Sequence, residues 1–129
     1  RVVQRAAWPI GSIAGLQPQL LSKHLPVFVG LLRKPGLHNA VRRNITRLLQ
    51  YISIPEALKG DVMDACFSFI CDVQEKAAVK AFSLTILEQL ANEYPEIMPE
   101  IITVIEERWD FETAAFHSRA RKILKKYRK

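Results

Sequence analysis

Four segments of this chain carry the same apolar frame, and their even spacing restricts the possible folds more than any other feature. In and just after residues 40–51, AVRRNITRLLQY, the side chains Val41, Ile45, Leu48, Leu49 and Ile52 fall at i, i+4, i+7, i+8 and i+11. That is one stripe of an α-helix, with arginines on its other side. The frame returns as Val79, Ser83, Ile86, Leu87 and Leu90, again as Phe116, Ala120, Ile123, Leu124 and Tyr127, and more faintly upstream as Val3, Ala7 and Ile10. The anchors Val3, Val41, Val79 and Phe116 are 38, 38 and 37 residues apart. A tandem array follows, because a single helix pair cannot bury its stripe alone and needs the neighbouring pair to supply the missing half of its core.

Between the framed helices lie others that carry proline. Inner helices are expected near 1–16, 38–52, 76–92 and 112–128, and outer helices at 19–33, 53–71 and 95–109, with all of 1–129 forming one repeat domain. Pro9 should bend the first helix, and Pro26 either starts the regular part of the second or kinks it. Lys34-Pro35-Gly36 breaks the chain before the 38–52 helix, and Tyr94-Pro95 ends the 76–92 helix, because the residue before a proline avoids the helical region. Ser53 can cap the 53–71 helix, with Pro55 near its first position and Glu56 in its first turn. No stretch alternates apolar and polar residues for long between turn signals, so seven helices and no sheet are expected. Val41, Ile45, Leu48, Val79, Ile86, Leu87, Ile123 and Leu124 should be buried. The chain opens on Arg1, already inside a helical pattern and without a cap, so further residues are expected upstream.

These features resemble those of the HEAT and HEAT-like repeat family. The period near 38, the early proline in the first helix of each pair, and the valine followed by a basic residue in the second (Val41-Arg42, Val79-Lys80, less well Phe116-His117) carry the likeness over essentially the whole chain. The aspartate usual in that family at the turn between paired helices is replaced by nearby Asn39, Glu75 and Glu112. The resemblance implies an all-α, right-handed α-α superhelix, with the second helix of each pair lining a concave surface.

Composition is that of an ordinary globular protein, with 49% hydrophobic and 25% charged residues, and 129 residues can bury a core without staples. Trp8, Phe28, Phe67, Phe69, Phe82, Trp109, Phe111 and Phe116 read as inter-helix filling, with Trp8 and Trp109, each at a helix break, able to stay half exposed. Cys66 and Cys71 have neither redox-motif nor metal-ligand spacing and read as buried, reduced thiols, which suits a cytoplasmic protein. No apolar run approaches the roughly 20 residues of a membrane span, and no signal peptide opens the chain. The charge is banded. Residues 1–60 carry nine Lys or Arg against one acid, residues 61–110 three against eleven, and residues 111–129 seven against one, giving local net charges of +8, −8 and +6. Such bands either neutralise one another across a solvated surface or steer an oppositely charged ligand.

Catalytic signatures are scarce. The sequence has no G-x-S-x-G, no glycine-rich phosphate loop and no H-E-x-x-H. His24, His38 and His117 have no ligand-like spacing and read as surface or packing residues; Glu106-Glu107 and Asp61-Asp64 read as solvated helix faces. No cofactor or metal is expected, and the chain reads as a non-enzyme. At about 100° per residue, the side of the inner helices away from the core carries Arg43, Thr46, Arg47 and Gln50, then Ala81, Leu84, Thr85 and Glu88, then Ser118, Arg121, Lys122 and Lys125. The resemblance places these twelve on or beside the concave face. Arg43, Arg47, Leu84, Arg121, Lys122 and Lys125 are therefore the candidate partner-binding residues, basic strips around a small apolar anchor at Leu84. The expected partner is a protein or acidic peptide. Nucleic acid is the alternative, although no aromatic lies on that face to stack bases. Some HEAT-like solenoids are alkylpurine DNA glycosylases, but the acid and the aromatics that they set along the DNA cannot be placed here.

Overall fold

In the computed structural model, residues 18–34 and 36–127 are described. They form α1 (Pro18–Leu32), α2 (Asn39–Leu49), α3 (Glu56–Cys71), α4 (Ala77–Ala91), α5 (Met98–Arg108) and α6 (Ala114–Tyr127), with short 3-10 turns at Pro95–Ile97 and Trp109–Phe111 flanking α5. No strand occurs among the described residues. The expected helix at 1–16, with Val3 and Trp8, lies outside them. The other six expected helices are all present, with the 95–109 segment split into 3-10, α and 3-10 pieces. Pro26 lies inside α1 rather than at its start.

The chain divides into two compact units, Arg1–Ala65 and Cys66–Lys129. In the first, α1 packs against α2, and Leu25, Val29, Leu32, Val41, Ile45, Leu48 and Leu49 form the core. The connection between these helices turns at Gly36, whose φ of 76° lies in the left-handed region that a residue without Cβ enters at no steric cost. His38 then caps α2, its Nδ1 accepting a hydrogen bond from the backbone N–H of Ala40 at 3.1 Å. Arg42 ties the same corner by donating to the Leu37 carbonyl at 2.6 Å and to the Asn39 side-chain oxygen. Arg33 reaches Asp61 and Asp64 at 3.5 and 3.4 Å, all three exposed, so these pairs contribute little.

In the second unit α4 packs most extensively on α6, and α5 touches both. Val79, Ile86, Leu87, Ile101, Ile105, Phe116 and Ile123 are buried. The stripe read from the sequence is thus the core-facing one, although Leu124 and the end residues Ile52 and Tyr127 are only half-buried. In the register of Leu124, Leu49 and Leu87 are fully covered, whereas Leu124 itself borders an open concavity beside Trp109. Phe111 departs further. It sits in the 3-10 turn after α5 and is 74% exposed, because that turn carries it out of the helix-helix contact.

The basic residue after the α4 anchor is fully absorbed. Lys80 is buried, and its Nζ donates to Glu112 Oε2 at 2.6 Å. Arg108 donates to the same oxygen, Nη2 at 2.7 Å and Nε at 2.9 Å. One almost completely buried carboxylate thus neutralises a buried ammonium and fixes a guanidinium.

The two thiols differ. Cys66 is buried, and that burial pushes its pKa up to about 12, the Ser83 hydroxyl beside it acting weakly in the opposite sense. Cys71, expected to be buried as well, is exposed at the last position of α3. Native protein should therefore take up one equivalent of a maleimide quickly, at Cys71, and a second only on unfolding, as counted by intact mass. Because folding raises the Cys66 pKa, its neutral thiol favours the native state below pH 9.0, and this contribution should fall as pH rises toward about 12.

Candidate functional site

The outward positions of the three described inner helices separate into two groups once neighbours are present. On α2, Arg43 and Arg47 are exposed, one turn apart on the same side. Thr46 and Gln50, placed on that side by the helical arithmetic, are buried instead. Their polar ends turn back onto the helix: Thr46 Oγ1 donates to the Arg42 carbonyl at 2.8 Å, and Gln50 Nε2 donates to the Arg47 carbonyl at 3.3 Å. The α2 strip is therefore the two arginines alone.

On α4 the expected apolar anchor is absent. Leu84 is completely buried and Ala81 nearly so, which removes both from any partner surface. The reason lies in the composition of α4, AAVKAFSLTILEQLA, which is apolar on almost every side. A helix of that kind is covered over more than one stripe. Thr85 and Glu88 are the outward residues of α4 that stay half-exposed.

On α6, Ser118, Arg121, Lys122 and Lys125 are all exposed. Between α4 and α6 lies a cleft of about 230 Å³ lined by Thr85, Glu88, Arg119, Lys122 and Ile123. Arg119 donates to the Thr85 hydroxyl, and that hydroxyl in turn donates to the Ala81 carbonyl at 3.4 Å, so the guanidinium is held across the cleft. Sequence reasoning had passed over Arg119, because its register is filled in α2 and α4 by Asn44 and Phe82, of which Asn44 is buried. Lys122 brings a second cation to the cleft, and Glu88 an acid. Arg121 does not join them; its guanidinium lies 5.6 Å from the centroid of the Trp109 ring. Lys125 continues the exposed basic side one turn on.

The cleft thus offers two cations, one carboxylate and one hydroxyl. It can accept carboxylates while still accepting hydrogen bonds through Glu88, which suits a polar chain with acidic side chains better than a bare polyanion. The histidines stand apart from this site. His38 caps α2, His24 lies 6.3 Å from Phe28 ring to ring, and His117 stacks on Trp109. Among the described residues, no group of three or more His, Cys, Asp or Glu side chains could hold a metal ion, and no helix is long and apolar enough to cross a membrane.

Compared with known proteins, the chain matches a family model described as a HEAT repeat domain over residues 1–127. No curated protein and no solved structure matches it.

Proposed function

We propose, from the premise that this chain belongs to the HEAT repeat domain family, that it is a non-catalytic module that holds an acidic protein or peptide partner in the cleft between α4 and α6. The observation that carries the reading is the α4–α6 cleft, where Arg119 and Lys122 meet Glu88 and Thr85 beside the exposed Lys125. Arg43 and Arg47 form a separate exposed basic pair on α2, in the other unit. Summed positive potential raises the rate at which an acidic segment arrives, and charge-assisted hydrogen bonds to its carboxylates hold it. Leu84, being buried, has no part in it. The free thiols support a reducing compartment such as the cytoplasm.

Nucleic acid is the competing occupant, and Glu88 separates the two. A phosphate backbone brings only acceptors to a carboxylate, whereas a peptide brings N–H donors. The direct test is to replace Lys122 and Lys125 together with glutamate and titrate a labelled glutamate-rich peptide by fluorescence anisotropy. Affinity should fall at least about tenfold, equivalent to about 1.4 kcal/mol. The urea midpoint should barely move, because both side chains are exposed. Unchanged affinity in the folded variant would remove the α6 strip from the interaction.

A further inference from the structure

The end of α5 and its 3-10 turn build a second surface of opposite character. A concavity of about 400 Å³ is lined by Glu106, Trp109, Asp110 and Leu124. Its aromatic wall is clamped in place: the Trp109 ring stacks on His117 with centroids 4.1 Å apart and planes 18° apart, and His117 Nε2 lies 2.7 Å from the Trp109 carbonyl oxygen. Its apolar side is Leu124, half-buried where the equivalent Leu49 and Leu87 are fully covered. Its rim is acidic, for Glu106 and Asp110 are both exposed and stand one turn apart. They belong to a stretch, residues 93–110, with six acids and only one base, Arg108.

An aromatic face, an aliphatic side chain and two carboxylates together fit a cation carried on an aliphatic stem. The stem packs against indole and leucine, the charged head meets the carboxylates, and the ring face adds cation–π attraction. The chain's own Arg121, 5.6 Å from the centroid of the Trp109 ring, is within the range of that attraction. Phosphate-bearing ligands are disfavoured by the acidic rim, which leaves a protein segment rich in lysine or arginine with an adjacent apolar residue. We infer that the notch formed by Glu106, Trp109, Asp110 and Leu124 docks such a basic segment of a partner protein, on a surface separate from the α4–α6 cleft.

At the notch Arg121 is a like charge beside the incoming cation, so Arg121→Ala should tighten a basic partner.

The test uses the full chain carrying Trp8→Phe, which leaves Trp109 as its only indole. A short synthetic peptide of leucine and lysine is titrated while Trp109 emission is followed, beside a counterpart with glutamate in place of lysine. The lysine peptide should give a saturable change and the glutamate peptide none at this indole. Asp110→Lys should weaken the lysine peptide at least about tenfold, and Arg121→Ala should strengthen it. Asp61→Lys, which alters net charge equally from the other unit, should have a much smaller effect. Asp110 is exposed, so its replacement should leave the far-UV spectrum unchanged. The inference is overturned if no saturable change appears, if the two peptides act alike, if Asp110→Lys and Asp61→Lys act alike, or if free spermine displaces the peptide at comparable concentration.

Discussion

Replacing Glu112 with alanine is expected to lower the free energy of unfolding by about 3–5 kcal/mol, read from urea denaturation followed by circular dichroism. The size follows from what the carboxylate leaves behind. Lys80 is 2% exposed and has its ammonium 2.6 Å from Glu112 Oε2, so without that oxygen a buried charge stands unpaired. Arg108 suffers less, because its side chain is 18% exposed and can turn toward water. Pairing Glu112→Ala with Lys80→Met should recover much of the loss, since apolar replacements of a buried ion pair are often neutral or better. A loss below about 1 kcal/mol for Glu112→Ala would mean that the pair behaves like a solvated surface bridge.

Ile86→Ala should cost about 2–5 kcal/mol in the same measurement. Ile86 is completely buried in α4, with Leu87 beside it and Ser83 one turn before, both equally covered. With covered neighbours on both sides of it, the site has little freedom to collapse into the space left by the lost side chain, so a cavity term adds to the lost transfer energy. Ile123→Ala on α6 should fall in the same range, as Ile123 holds the same place in its repeat and is 1% exposed. A cost below about 1 kcal/mol at Ile86 would show that the repeat frame faces the wrong way.

The period and the stripe were legible because they depend only on spacing. Val41, Val79 and Phe116 are fully covered at their equal registers, and the six helices fall where proline, glycine and the apolar frame place them. What could not be read was the second side of each helix. Arithmetic at 100° per residue assumes that the side opposite the core meets water, and α4 breaks that assumption at Ala81 and Leu84. A hint was available, since Leu84 and Ala81 are apolar where Arg43, Arg121 and Ser118 are polar. Leu124 erred in the opposite direction: its register is that of a core residue, but coverage depends on a neighbour, which spacing within one helix does not report. Arg119 and the Trp109 notch were missed for a related reason. Each depends on which side chains from two helices meet, and neither helix alone carries that information.

The most direct test of the central claim is a paired anisotropy titration. A labelled glutamate-rich peptide and a labelled duplex DNA are each titrated with the native chain and with Glu88→Ala, at a salt concentration of about 0.15 M. If the inner-helix cleft holds an acidic protein segment, the peptide binds the native chain more tightly than the duplex does. Glu88→Ala then weakens the peptide, which loses a partner for its N–H donors, and strengthens the duplex, which loses a repelling carboxylate. If the duplex binds the native chain more tightly, with an affinity that falls log-linearly and steeply as salt rises, the cleft belongs to nucleic acid and the account is wrong.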